Sequence, residues 1–180
     1  MPDSSDAGMP ETEPLPNRLT AARLDELRRL LILDSGPEKV YDDIVRLLAQ
    51  SFDAPITMVN LLDQDRDWFK ACIGLTQTQS PMSTSFCEAF FRSPDDIIIA
   101  EDTTLDARFS NHPLVTGPPH IRFYASARLV VNGHTVGTLC SYDMAPKKLA
   151  AEQREQLQAL AKAAMKLLDE RITARAPSGR

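Results

Sequence analysis

The spacing of apolar positions changes several times along the chain, and each change marks an element. From Asn17 to Leu33, Leu24, Leu27 and Leu31 recur at helical spacing, with Leu30 thickening the stripe. The segment "DSGPE" stops that helix and starts another: Ser35 and Glu38 stand at the S-x-x-E capping spacing, and Pro37 suits a first turn that needs no amide donor. The second helix runs to about Phe52, with Val40, Ile44, Leu47 and Leu48 on its inner face. After Pro55 the period falls towards two. "ITMVNLL" is apolar on both faces, as a covered central strand is, and "WFKACI" beyond the polar turn "DQDRD" completes a hairpin. A short helix from about Ser85 to Phe91 and a brief strand, "DIIIA", come next. "EDTTLDARFSNHPLVTGPPH" has no strong period and reads as a structured loop. "IRFYASARLVV" and "HTVGTLCSYD" then flank Asn132-Gly133, a strong hairpin signal. The last helix spans about Ala150 to Ile172 on a stripe of Leu157, Leu160, Ala161, Ala164, Leu167 and Leu168. Ala150 offers it no capping side chain, which costs about 1 kcal/mol. The pattern yields five strands and predicts an α+β fold, a mostly antiparallel sheet between helical layers.

Length and composition narrow the class. The chain has 180 residues, enough for one ordinary domain, and 43% of them are hydrophobic, enough for a core. Residues 1–16 are acidic and Pro-rich without apolar period and read as a disordered tail; 17–172 form the domain and 173–180 a flexible tail. The start lacks the positive and apolar regions of a secretory signal, and no apolar run nears the ~20 residues that cross a bilayer. The formal charge is −5 with no stripe of Lys and Arg, which argues against nucleic acid. Cys72, Cys87 and Cys140 are odd in number and form no C-x-x-C pair, so a reducing cytoplasm is the expected compartment.

The segments "ILDSGPEKVYDDI", "FDAPITMVNLLDQDRDWFKACIGL", "SFCEAF" and "DARFSNHPLVTGPPHIRFYASARL" together resemble GAF domains. The likeness is to a subgroup found ahead of bacterial diguanylate cyclases and histidine kinases. With "NGHTVGTLCSYD" and "LAAEQREQLQALA" it extends over about Arg18 to Ile172. It implies a profilin-like sheet of six antiparallel strands, the terminal helices packed on one face, and loops and short helices roofing a small-molecule pocket on the other. It names no ligand and no cofactor. The chain departs from the subgroup at Ser126 and Arg128, where Gly and Pro are common, and at Ser141 and Tyr142, where a small apolar pair is common. No cyclase or kinase region follows Ile172, so any output is expected in trans, to a cyclase or histidine kinase partner.

On that frame, alternation along 121–131 puts Arg122, Tyr124, Ser126 and Arg128 on the roofed face and Ile121, Phe123, Ala125 and Ala127 against the helices. Arg122 can bind a carboxylate or phosphate through its fork, or pair with Asp102 or Asp106 and pin the loop. The prolines of "HPLVTGPPH" favour a stiff roof over a swinging gate. Trp68 and Phe69 alternate, so one faces the pocket and the other joins the helical core. Phe86, Phe90 and Phe91 are wall candidates, and Cys87, Cys140 and Tyr142 complete the candidate ligand contacts with Arg122, Tyr124, Trp68, Phe86 and Asp102. Against catalysis, the chain has no G-x-x-x-x-G-K, no G-x-G-x-x-G and no G-x-S-x-G, and its His and Cys are not at metal-ligand spacing. The expectation is a cytoplasmic, non-catalytic sensory module that binds a small molecule and pairs through its terminal helices. Two alternatives stand beside it. One is a cysteine-based reductase of free methionine sulfoxide; the other is a ligand-free dimerisation scaffold with Leu24, Leu27, Leu31, Leu160 and Leu167 as its seam.

Overall fold

The structure, a computed structural model, describes residues 17–174. The two expected tails lie outside the described residues, apart from Thr173 and Ala174, which close the last helix. The chain runs through helices α1 (Ala21–Arg29) and α2 (Lys39–Phe52) into strands β1 (Ile56–Leu62), β2 (Arg66–Ile73) and β3 (Gln79–Pro81). A 3-10 turn, Phe86–Arg92, leads to β4 (Ile97–Ala100). The one-turn helix α3 (Pro113–Thr116) sits in the loop before β5 (Phe123–Val131), and β6 (His134–Asp143) and α4 (Ala151–Thr173) follow.

The six strands form one antiparallel sheet in the order β3-β2-β1-β6-β5-β4, so the fold is α+β as expected. β1 is central, and all seven of its residues are buried, which is why both of its faces are apolar. The β5–β6 connection is the predicted two-residue turn: Asn132 and Gly133 both take positive φ, 48° and 78°, the twist that joins such strands. The sixth strand, β3, escapes the periodicity because it is short and carries Gln79, Ser80 and Pro81. It pairs with β2 at the sheet edge, where Pro81 is tolerated.

Two apolar layers divide the molecule. On one face α1, α2 and α4 pack through Leu27, Tyr41, Leu48, Phe52, Leu157, Ala164 and Leu168 against Phe123, Ala125 and Ala127 of β5. On the other, the 3-10 turn and the 101–120 loop cover Met58, Phe69, Tyr124 and Cys140. Leu24, Leu27 and Leu160 are spent inside the fold, so most of the expected dimer seam is not on the surface; Leu31 remains 61% exposed. Ser35 does not cap α2 either. Its hydroxyl donates to the Ile32 carbonyl, and Lys70 Nζ donates to Ser35 Oγ and the Gly36 carbonyl while pairing with Glu38, which ties the α1–α2 turn to β2. Ala150 is uncapped as predicted, but its own amide donates to Gln153 Oε1, half of a capping box.

Candidate functional site

The alternation of β5 is borne out for its polar residues and for Phe123, Ala125 and Ala127. Ile121, two residues ahead of β5, instead turns under the roof. Arg122 pins that roof, though not through a carboxylate: Nη1 donates to the carbonyls of Val115 at 2.9 Å and Ile121 at 3.2 Å. Asp106 is taken by Arg108, and Asp102 accepts from the Thr104 amide and hydroxyl. Thr103 adds a bond to the Ile121 carbonyl, 2.7 Å, and Ile121 N one to Leu114 O, 2.8 Å. The 101–120 loop is therefore fixed along its length.

Beneath it lies a cavity of about 160 Å³. Ile56, Met58, Phe69, Leu75, Phe86, Leu114, Pro119 and Ile121 form its apolar walls, and Asn60, Asp67, Ser85 and Tyr142 add polar groups. Of the eight contacts expected from the sequence, Phe86 and Tyr142 line it. Trp68 does not: it belongs to the helix-side layer, and Phe69 takes the inward place. Cys87, Cys140 and Tyr124 are fully buried behind the wall, with Cys87 Sγ 3.4 Å from Tyr124 Oη and 3.1 Å from Thr138 Oγ1. Arg122 spends Nη1 on the roof carbonyls and is not among the residues that line the cavity. Asp102 opens instead on a broad trough along the β4 edge, shared with Lys147, Lys148 and Arg154.

The polar floor is the part that strand alternation missed. Asn60 interrupts "ITMVNLL" in mid-strand, a signal present in the sequence, and its Nδ2 donates to Asp67 Oδ2 at 3.2 Å. Ser85 Oγ donates to the same oxygen. Asp67 Oδ1 accepts from Arg18 Nη2 at 2.8 Å, and Arg18, 1% exposed, also meets Glu88 and the carbonyls of Asp63 and Arg66. Both Asp67 oxygens are thus engaged, whereas Asn60 Oδ1 is buried without a protein donor. Asn60 lines the cavity, so a ligand N–H or O–H that reaches this buried acceptor would satisfy it. Burial pushes the Tyr124, Tyr142 and Cys140 groups well above their ordinary pKa values, so all three stay neutral donors. Hydrogen bonding from Cys140 pulls the Cys87 thiol down against its own burial.

His112 closes the roof from the side. Its ring stacks on Phe86 at 4.1 Å and Nδ1 accepts from Leu114 N, so the proton sits on Nε2, which finds no protein acceptor. Burial lowers its pKa. A depressed folded-state value means that the unfolded chain takes the proton first. Stability should therefore be full above the ordinary histidine pKa of ~6.5 and fall as pH drops through the folded value. Thermal unfolding between neutral and mildly acidic pH should show that slope. His112→Asn, which keeps an acceptor for the Leu114 amide, should flatten it; an unchanged slope would assign the effect elsewhere.

The family model of the GAF domain matches residues 36–168, most of the chain, and the chain belongs to that family. Among curated proteins it is similar to a cyclic di-GMP phosphodiesterase of Pseudomonas aeruginosa, 38% identical over 126 residues. That match covers 69% of this chain and 21% of the relative, so the chain spans about a fifth of that protein. Solved structures share the fold at lower identity. The GAF domain of an Acinetobacter phosphoenolpyruvate-protein phosphotransferase superposes with a TM-score of 0.60 at 19% identity, covering 90% of this chain and 99% of the other. A free methionine-R-sulfoxide reductase of Neisseria meningitidis, solved with its substrate, gives 0.60 at 15% identity over 83% and 89%. No helix among the described residues is long and apolar enough to cross a membrane.

Proposed function

We propose that the chain is a non-catalytic sensory module whose ligand is a small, largely apolar molecule with an N–H or O–H donor, held in the cavity over Asn60. The observation that carries this reading is a cavity of about 160 Å³ lined by Asn60, whose buried Oδ1 has no protein donor. An apolar cavity of about 150 Å³ admits a benzene-sized molecule, so the ligand is a small metabolite rather than a tetrapyrrole or a dinucleotide. The floor disfavours an anion, one of the two uses the sequence left open for Arg122, because Asp67 and Asn60 line the cavity while Arg122 is not among its walls and holds the roof. Asp67 has both oxygens taken, one by Arg18 at 2.8 Å and the other by Asn60 and Ser85, so its carboxylate is committed to the floor. The cavity does not reach Cys87 or Cys140, which gives the reductase reading no support.

The named relative turns over cyclic di-GMP, and its likeness supports a place in signalling of that kind. The chain would bias an enzyme that makes or breaks a cyclic dinucleotide, or a histidine kinase, by binding ligand better in one arrangement of α1 and α4 than in another. Copies would pair in the cytoplasm, through Leu31 and the half-exposed Val40 and Leu47 of α2 rather than through the buried leucines.

Native mass spectrometry of the purified chain reads both retained ligand and stoichiometry. In a thermal-shift screen of small amides, amines and alcohols, binders to the wild-type chain are expected to weaken at least ~10-fold with Leu75→Trp, which fills the half-buried wall. A screen with no saturable binder, and no retained mass, would leave the scaffold reading in its place.

A further inference from the structure

A second cleft of about 350 Å³ opens between α1, the end of the 3-10 turn and the β5–β6 hairpin; Arg23, Phe91, Asp96, Arg128, His134 and Thr135 are among its walls. Two guanidinium groups line it, and neither has a carboxylate within hydrogen-bond distance. Arg23 is 2% exposed; Nε donates to the Arg18 carbonyl and Nη1 to the Thr135 carbonyl at 3.2 Å, while Nη2 is buried and has no partner. It forms no ion pair among the described residues. Arg128 gives Nη1 to Thr135 Oγ1 and Nη2 to the carbonyls of Phe90, Ser93 and Asp95, which leaves Nε without a hydrogen bond. The carboxylate nearest to it, Asp96 Oδ1, stands off at 3.7 Å on a side chain that is 88% exposed. Thr135 thus ties both guanidiniums to one residue, and each keeps one nitrogen without a partner.

A buried cation held only by neutral carbonyls is costly, and a matching anion relieves that cost. Burial and the neighbouring Arg18 charge bring Arg23 down to about 10, the same imbalance seen from its proton equilibrium. We propose that this cleft is a second ligand site, distinct from the Asn60 cavity, which takes a small oxyanion, a phosphoryl or carboxylate group, between Arg23 Nη2 and Arg128 Nε. The ion replaces the loosely held Asp96 carboxylate. It reaches Arg23 when Phe91, half-buried with its ring 5.6 Å from the guanidinium carbon, turns aside. Forked guanidiniums suit this geometry better than ammonium groups do.

The test uses the full chain, with inorganic phosphate and acetate titrated separately against chloride at matched ionic strength. Saturable stabilisation is expected, a rise in Tm of about 2–4 °C at saturation. A response to phosphate alone identifies the phosphoryl group as the ligand chemistry, and a response to both identifies the oxyanion in general. Asp96→Asn, at an exposed position that leaves the core untouched, should tighten binding several-fold by removing the competing carboxylate. Arg23→Met should abolish it. Absence of saturation in both the wild-type chain and Asp96→Asn overturns the proposal, as does undiminished binding in folded Arg23→Met.

Discussion

Arg18→Met is expected to lower the unfolding free energy by about 3–5 kcal/mol, the cost of leaving a buried partner charge unpaired. Asp67 is 2% exposed and takes Arg18 Nη2 on one oxygen while Asn60 and Ser85 donate to the other. Without the guanidinium, neutral donors alone would hold that carboxylate. The Asp63 and Arg66 carbonyls would also lose their donors, at 2.9 and 2.8 Å. Urea denaturation measures the difference. Adding Asp67→Asn to the Arg18 variant should recover part of the loss, because the stranded charge disappears while an amide can keep the contacts with Ser85 and Asn60. A loss below ~1 kcal/mol for the single variant would mean that Arg18 is not the counter-ion of the floor. The double variant separates charge from packing: recovery identifies electrostatics, and an additive loss identifies the long side chain as filler.

The elements were largely legible because periodicity reports which face a residue occupies. β1 begins and ends where "ITMVNLL" does, the Asn132-Gly133 turn is where its chemistry put it, and Leu157, Ala161, Ala164 and Leu168 bury the α4 stripe. The site was less legible, because periodicity carries no information about depth or about contacts made at long range. Tyr124 faces the roof as alternation requires, yet lies behind the wall instead of on the cavity. Trp68 and Phe69 could not be ordered from sequence. The irregular pairing of β1 with β2 between Val59 and Asn60 puts Asn60 opposite Phe69, Trp68 opposite Leu61 and both Lys70 and Ala71 on the helix side. Arg18 reaches Asp67 from 49 positions away, ahead of the first helical stripe, where no period marks it. The one sequence clue to the floor was Asn60, a polar side chain inside an otherwise apolar strand.

Gly137→Ala should cost at least about 3 kcal/mol, more than most single substitutions, because the added carbon meets backbone rather than a movable side chain. A Cβ at Gly137 would stand 2.3 Å from the Asn60 carbonyl oxygen and 3.2 Å from Leu61 Cδ1. β6 pairs with β1 there, Gly137 opposite Leu61 and Thr138 opposite Asn60, in the middle of the sheet. Relief requires the two central strands to part at the residue that carries the cavity's free acceptor. The same substitution should therefore weaken any Asn60-dependent ligand more than its effect on Tm alone would suggest. Gly36→Ala is the matched control, since a Cβ at that position meets nothing within 4 Å; its effect should stay within ~0.5 kcal/mol. Equal, small effects at both positions would show that β1 and β6 can separate at little cost. In that event Gly137 would be packed loosely, and the floor of the cavity would owe its position to the Arg18–Asp67 pair alone.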